Sequence, residues 1–452
     1  MTVSTPITLA DDVLHDHPLS LIDVTAFTAD HCIKCNICTS ACPYAKVTPL
    51  FPGPKVVGPQ WQRLRDPNAD SPDHSLDYCS SCGICTLVCP HGVKVMEINT
   101  QAKAKMVETH GLSFRNWFLA RNELWGRLGT PFAPLANFAL RNRLVRWAVE
   151  KTVGISARAP MPGWAGYTFR SWWKRQVRAH PRPEPVSDAD RVVYFHGCST
   201  NTYEPHVGKL AVAILEHIGL HVEVPEQGCC GLPAQSNGDF KGARRYARYN
   251  IDHLSEYARR GIPIVGTAAS CMTAIKGDYQ HVLEIEDDDA RLVAAHTYDF
   301  MEFLWKLHQE GRLPLDFRPI NQELPYHAPC QLKAHGFGRP ALDVLSLIPG
   351  LKLWEIDAEC CGIAGTYGFK VEKREISEAV GWPIVQQVHD AGAEVVVCDT
   401  ETCRWQIQAL TGGVSIHPVV LLAEAYGLAV DNYRPPVRAE KRRAPAPSAG
   451  GW

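Results

Sequence analysis

Seventeen cysteines stand in this 452-residue chain, and two adjacent pairs occur among them: Cys229 and Cys230 in "QGCCGLP", and Cys360 and Cys361 in "AECCGIAGTYG". Adjacent cysteines are poorly placed to bridge each other. The surrounding spacing is matched as well. Cys198 precedes the first pair by 30 intervening residues and Cys271 follows it after 40, while Cys330 precedes the second by 29 and Cys403 follows after 41. Such intervals are hard to obtain from cysteines that only fill a core. The odd total excludes a purely internal disulfide framework, and a reducing compartment disfavours one in any case. Thiols that converge in fours are soft ligands, suited to metal.

Eight further cysteines narrow the metal. "CIKCNICTSACP" places Cys32, Cys35, Cys38 and Cys42 before Pro43, and "CSSCGICTLVCP" places Cys79, Cys82, Cys85 and Cys89 before Pro90. Both read C-x2-C-x2-C-x3-C-P, the run that holds 4Fe-4S clusters in bacterial-type ferredoxins. The short loops let three thiolates converge on one cube, and the fourth cysteine opens a segment leading to the other. Cluster one is therefore expected on Cys32, Cys35, Cys38 and Cys89, and cluster two on Cys79, Cys82, Cys85 and Cys42. Zinc, the alternative, needs only four ligands and does not account for the run occurring twice. The 36 residues between the runs are rich in Pro, Gly and turn formers, with one short helix expected in "PQWQRLR".

The elements that position the paired cysteines begin near Arg191, where apolar strands alternate with amphipathic helices: "RVVYFHGC", "HVGKLAVAILEHIG", "HVEVPE" and "IPIVGTAASC". The same order returns in "ELPYHAPC", "PALDVLSLIPG", "LKLWEID" and "AEVVVCDTETC". This is an internal duplication of an α/β unit with cysteines at strand ends. Each copy brings four thiols toward one spot: Cys198, Cys229, Cys230 and Cys271 in the first, Cys330, Cys360, Cys361 and Cys403 in the second. The glycine after each pair permits close backbone approach. An iron-sulfur cluster, zinc or plain packing of buried thiols all fit these residues.

Between the two textures, residues 111–184 contain thirteen Lys plus Arg against three acidic residues, and six of the chain's twelve tryptophans: Trp117, Trp125, Trp147, Trp164, Trp172 and Trp173. "RNWFLARNELWGRL" is expected to put Trp117, Phe118, Leu124, Trp125 and Leu128 on one helical stripe. That composition fits a segment lying in a membrane interface beside anionic lipid, or a linker packing its stripe between flanking domains. The net charge of −2 gives no reason to expect nucleic acid. No apolar run is long enough to span a bilayer and no secretory signal is evident, so a cytoplasmic protein is expected. No GxGxxG, P-loop, HExxH or GxSxG motif occurs in a fitting context, so no bound flavin or nicotinamide is expected and a flavoprotein partner is implied.

The duplicated C…CCG…C arrangement resembles the CCG family of heterodisulfide reductase B-type subunits. From about Cys32 to Leu428 the chain also resembles the C subunits of anaerobic glycerol-3-phosphate dehydrogenases, in "CIKCNICTSACP", "FPGPKVVGP", "FHGC", "CCGLP", "YHAPC", "CCGIAGTYGFK" and "ETCRWQI". The resemblance implies an α+β multidomain protein: an α-helical ferredoxin domain with two 4Fe-4S clusters, then two α/β CCG domains, each with a further cluster. The expected limits are an N-terminal extension (1–26), the ferredoxin domain (27–108), the basic aromatic connector (109–188), the CCG domains (189–316 and 317–428) and a disordered tail (429–452). It further implies an electron-transfer subunit, peripheral on the inner face of the cell membrane, that passes electrons from a flavoprotein dehydrogenase to quinone. The alternatives are a catalytic thiol or heterodisulfide reductase and a soluble electron donor to another oxidoreductase. One departure bears on that choice. CCG domains that cleave disulfides end in C-x-x-C, whereas Ala268 and Thr400 stand at the first of those positions here, and Cys398 is either a displaced substitute or a plain thiol.

Overall fold

The cysteines at strand ends come from two parallel sheets built to one plan. The computed structural model describes residues 28–62, 71, 73–180, 187–336 and 338–429; the expected N-terminal extension and all of the expected tail but residue 429 lie outside the described residues. In the first sheet β1 (Arg191–Phe195), β2 (His221–Glu223), β3 (Ile264–Gly266) and β4 (Thr297–Asp299) pair in the order β2-β1-β3-β4. The second repeats it with β5 (Gln322–Tyr326), β6 (Leu351–Glu355), β7 (Val395–Val397) and β8 (Val414–Ile416) in the order β6-β5-β7-β8. All pairings are parallel. The central strands read as short apolar runs because helices cover both faces of the sheet.

The two units share one core besides the clusters each keeps on its other face. One apolar cluster passes from Tyr194, Leu210 and Phe300 of the first into Tyr326, Val344 and Val419 of the second. His417 at the end of β8 seals the contact, its Nε2 lying 2.8 Å from the Thr267 carbonyl oxygen.

The N-terminal cysteine runs sit on short helices, Ile37–Ser40 and Ile84–Leu87, backed by the long helix Val95–His110. Met96 and Ile98 of that helix pack into the core of the first sheet unit, while Tyr44 and Leu76 pack with Tyr367 and Ile376 of the second. The ferredoxin part is therefore wedged against both units. Lys373, almost fully buried, locks it in place: its Nζ lies 2.5 Å from Asp77 Oδ2, donates to the Asp77 carbonyl at 2.6 Å, and sits over the rings of Tyr78 and Tyr367. The short helical stretch expected at "PQWQRLR" starts earlier, at residue 54, and its described part ends at residue 62.

The connector departs from the single stripe expected of it. Arg121, at φ −104° and ψ 42°, breaks the segment into Phe114–Ala120 and Asn122–Gly129. Phe118 and Trp125 then stack on each other at 4.3 Å, with Trp117 edge-on to Trp125 at 6.3 Å. Leu124 and Leu128 are left in solvent. A stacked pair across a kink binds the aromatic rings to each other in a way a straight helix does not allow. Two further helices follow, Ala133–Arg141 and Arg143–Val153.

Candidate metal centres

The first cysteine run reaches its geometry through backbone conformations that side chains disfavour. Lys34 and Asn36 have φ of 64° and 71°, and Ser81 and Gly83 in the second run have 55° and 86°. These are the second and fourth residues after the leading cysteine in each run. Three non-glycine residues in the left-handed region mark stored strain, and its effect is to fold each loop so that its thiols point inward. Gly83 has a second reason to be glycine: a Cβ there lies 2.6 Å from that of Ala334, in the second sheet unit.

The thiols of the two runs lie in two groups. Cys32, Cys35, Cys38 and Cys89 enclose a small void of about 20 Å³ together with Val93 and Lys55. Burial pushes the Cys38 thiol up, and Cys32, Cys89 and Cys35 add to the effect. The second set is Cys42, Cys79, Cys82 and Cys85: burial raises Cys42 to about 11 and Cys85 well above its usual range, with the other three sulfurs of the set adding to the rise of Cys85. Asn99 Nδ2 lies 3.9 Å from Cys79 Sγ.

In the sheet units the cysteines collect where the strand order reverses. Cys198 follows β1 and Cys271 follows β3, the strands that flank the switch point; Cys330 and Cys403 follow β5 and β7 in the same way. That crevice is where open parallel sheets bind ligands. The pairs arrive on the loops after β2 and β6. Their glycines match in detail. Gly231 (φ 88°) donates its N–H to Cys229 Sγ at 3.5 Å, and Gly362 (φ 87°) donates to Cys360 Sγ at 3.3 Å. A Cβ on Gly362 would fall 1.9 Å from the Ser377 carbonyl oxygen, so no other residue fits.

Within each set the sulfurs shift one another's ionisation in chain order: Cys198, Cys229, Cys230, Cys271 in the first, and Cys330, Cys360, Cys361, Cys403 in the second. Cys330 and Cys360 are 3.9 Å apart. Bonds from Cys330 and Cys361 hold the Cys360 thiol well below its usual range, while Cys330 is pushed up by its bond to Cys360 and by burial. All eight thiols are buried. Clustered thiols that hinder one another's ionisation make a poor thiolate array alone and a good one around metal cations, which supply the missing positive charge. The donor set therefore fits the iron-sulfur clusters that the sequence implies.

The second cysteine-rich set has a neighbour that the spacing of cysteines did not flag. His327, fully buried, has one ring nitrogen within 4.8 Å of both Cys361 Sγ and Cys403 Sγ, and neither ring nitrogen has a hydrogen-bond partner. Burial lowers its pKa to about 3, so the ring is neutral at physiological pH. Cys398 is fully buried at the end of β7, beside Cys403, with its Sγ 3.9 Å from the Thr400 carbonyl oxygen. Thr400 lines the site with an unpartnered hydroxyl.

Both cysteine-rich sets open onto one cavity of about 170 Å³, which Cys82 of the ferredoxin part also lines. Tyr44 bridges toward the second set: its hydroxyl donates to the Gly362 carbonyl at 3.1 Å and lies 3.9 Å from Cys360 Sγ. The connector closes the other side. Asn122 Nδ2 donates to Cys198 Sγ at 3.5 Å, and Glu123 accepts from the Cys229 backbone N–H at 3.0 Å. No local pattern pointed to Asn122, Glu123 or Tyr44, because their partners lie 76 to 318 residues away.

The comparisons agree with this architecture. A family model described as a 4Fe-4S dicluster domain matches residues 28–93, and one described as a cysteine-rich domain matches twice, at 192–276 and 324–408. The C subunit of the anaerobic glycerol-3-phosphate dehydrogenase of Escherichia coli strain K12 is 39% identical over 399 residues, covering 88% of this chain and 98% of that one. The chain belongs to the family of anaerobic glycerol-3-phosphate dehydrogenase C subunits. It is an iron-sulfur subunit of an oxidoreductase, one component of an assembly with other subunits. More distant relatives are lactate utilization protein A of Bacillus subtilis, 29% identical over 216 residues (46% of this chain, 86% of that one), and the D subunit of the dihydromethanophenazine:CoB–CoM heterodisulfide reductase of Methanosarcina barkeri, 25% identical over 306 residues (64% and 72%). Among the described residues no helix is long and apolar enough to cross a membrane.

Proposed function

We propose that this iron-sulfur subunit carries electrons from a flavoprotein glycerol-3-phosphate dehydrogenase to membrane quinone. Its ligand sets are Cys32, Cys35, Cys38 and Cys89; Cys79, Cys82, Cys85 and Cys42; Cys198, Cys229, Cys230 and Cys271; and Cys330, Cys360, Cys361 and Cys403. Bound there, iron-sulfur clusters supply one-electron transfer. The protein's own part is to hold the four sets in series and keep water from the space between them. The observation that carries this reading is the placement of Tyr44 and Cys82 against the second cysteine-rich set: the Tyr44 hydroxyl lies 3.9 Å from Cys360 Sγ and donates to the Gly362 carbonyl, and Cys82 lines the same cavity as Cys330, Cys360, Cys361 and Cys403. An electron that reaches the ferredoxin part thus has a short exit into the sheet units.

The acceptor side is read from the connector. Phe132, Leu135, Phe138, Leu144 and Trp147 are exposed, and the exposed Arg127, Arg141, Arg143 and Lys151 lie among them. An apolar face rimmed by cations suits the inner leaflet, where anionic lipid and quinone are found together. The test is glycerol 3-phosphate-dependent reduction of a quinone analogue by the subunit reassembled with its flavoprotein on liposomes. Cys82→Ser should abolish it, and full activity in that variant would end the relay reading. The cavity shared by both cysteine-rich sets favours one other reading, a thiol or heterodisulfide reductase. Thr400 and Ala268 weigh against it, and disulfide turnover by the subunit would revive it.

A further inference from the structure

His327 closes β5 in a setting that the rest of the fold does not explain. The ring is fully buried, yet neither Nδ1 nor Nε2 has a hydrogen-bond partner. Leaving a buried polar atom unpaired forfeits its solvation with nothing in return, and native interiors rarely tolerate it. The ring's placement is fixed by the backbone, since the His327 N–H donates to the Val397 carbonyl at 2.9 Å, continuing the β5–β7 pairing at Tyr326 and Val397. From there it faces sulfur: a ring nitrogen, Cys361 Sγ and Cys403 Sγ all lie within 4.8 Å of one another, and Cys360 is among its electrostatic neighbours.

We propose that His327 is a ligand of the metal centre in the second cysteine-rich unit, binding iron through an imidazole nitrogen beside the Cys330, Cys360, Cys361 and Cys403 thiolates. The proposal rests on the reading that this unit holds an iron-sulfur cluster. Imidazole is an established iron donor next to thiolate, and coordination satisfies a nitrogen that is otherwise orphaned.

The first unit provides the internal control. His196 stands at the same place after β1, but the loop to the next cysteine is one residue shorter, His196-Gly197-Cys198 against His327-Ala328-Pro329-Cys330. The His196 Nδ1 lies 2.7 Å from the Gly197 carbonyl oxygen and its ring packs on Phe169 with centroids 5.4 Å apart; its Nε2 is unpartnered too, but among the described residues only His327 has a ring nitrogen grouped within 4.8 Å of two cysteine sulfurs. Its charged neighbours are Arg170 and Glu226, with no cysteine among them. Gly197, at φ 60°, takes the space over the sulfur instead, where an added Cβ would lie 3.1 Å from Cys271 Sγ. The two centres are therefore inequivalent, with a nitrogen donor only in the second. Beside the same four thiolates a neutral imidazole adds no negative charge, whereas a thiolate at that position would add one and make the cluster harder to reduce.

The test uses the full chain purified anaerobically and poised through a redox titration. Pulsed electron paramagnetic resonance should detect a strongly coupled nitrogen on the second unit's signal, and the coupling should change when the wild-type protein is grown with 15N-histidine, which needs no variant to fold. His327→Cys should abolish that coupling, keep the iron and move the centre to lower potential, while His196→Gln leaves the coupling in place. A second-unit signal without nitrogen coupling, or a coupling that survives His327→Cys, overturns the proposal and leaves the cluster standing. Iron content indifferent to Cys361→Ser overturns both.

Discussion

The proposed membrane attachment through the connector has a magnitude that follows from side-chain exposure. Ten of the nineteen large apolar side chains exposed among the described residues fall between Phe114 and Trp147, so the patch is local and not a background of scattered residues. Leu135 and Phe138 lie three residues apart on one helix, with Phe132 in the turn that leads into it, and Leu144 and Trp147 lie three apart on the next, so each pair shares a helix face. Leu135 is 69% exposed and Phe138 67%. Full burial of such a side chain stabilises by about 1.5–3 kcal/mol, so inserting the exposed two-thirds into lipid contributes about 1–2 kcal/mol each. Leu135→Ser with Phe138→Ser should then weaken vesicle binding by about 2–4 kcal/mol, roughly 30- to 700-fold. Folding should not suffer, because these atoms already face water. The assay is flotation with vesicles of mixed zwitterionic and anionic lipid. Arg141→Glu with Arg143→Glu should also release the protein, at about 1 kcal/mol for each charge removed from the surface field, and only this effect should fade in high salt. Arg146 is no part of the rim: it donates to the Ser156 and Ala159 carbonyls at 3.2 and 2.6 Å, so reversing it breaks a loop instead. Vesicle binding unchanged by the Leu135 and Phe138 double substitution would refute the lipid assignment, and loss of flavoprotein binding in its place would make the patch a subunit interface.

Other measurements bear on the metal centres and the assembly. Four clusters carry about 16 irons per chain and two carry about 8, at four per cube; we expect the higher figure after anaerobic purification, about four fewer with Cys230→Ser or Cys361→Ser, and no loss with Cys398→Ser. Lys373→Met should cost about 1–3 kcal/mol by removing the donor to Asp77, and hydrogen exchange should show the N-terminal helices losing protection first. Asp278 gives a pH signature: burial, opposed by a bond from Gln235, raises its pKa from 3.8 to about 7. The folded protein thus keeps a proton that the unfolded chain releases, so this carboxyl's contribution is full below pH 3.8, declines as pH rises toward 7 and is gone above it. The gap is worth about 4 kcal/mol, and Asp278→Asn should raise thermal stability more at pH 8 than at pH 5; an equal shift at both would contradict the assignment.

What could be read in the chain was local or repeated. The cysteine runs grouped their thiols because C-x2-C-x2-C leaves a loop few ways to close, and the long strands of each unit announced themselves through apolar alternation beside matched cysteines. β4 and β8 did not: they are as short as β2, β3 and β7, but no cysteine follows them to mark the strand end. The Arg121 kink was hidden because Trp117, Phe118, Leu124, Trp125 and Leu128 satisfy a helical repeat on paper, while the Phe118–Trp125 stack that bends the segment is a tertiary preference. Tyr44, Asn122, Glu123 and Lys373 reach their partners across the fold, where spacing holds no information. His327 sat in the open, in "YHAPC", but a histidine after a strand is unremarkable until its nitrogens prove to be without partners.

The duplication also explains why the centres face one another. Each unit places its cysteines at the carboxyl ends of the two strands that flank its switch point, a location set by the strand order before any side chain is chosen. A shared core then fixes the two sheets together, so their crevices can open onto a common space only if the third wall is supplied from elsewhere. The ferredoxin part and the connector supply it, through Cys82 on one side and through Trp125 and Asn122 on the other. That wall is what distinguishes a relay from two isolated metal sites. It brings the ferredoxin sulfurs against the second unit, whereas the connector touches the first set through Asn122 and Glu123. Equivalent halves have thus acquired different neighbours: the second unit meets the ferredoxin entry, and the first meets the segment proposed to lie on lipid. The topology was copied, and in the proposed relay the direction of electron flow follows from what was packed against each copy afterwards.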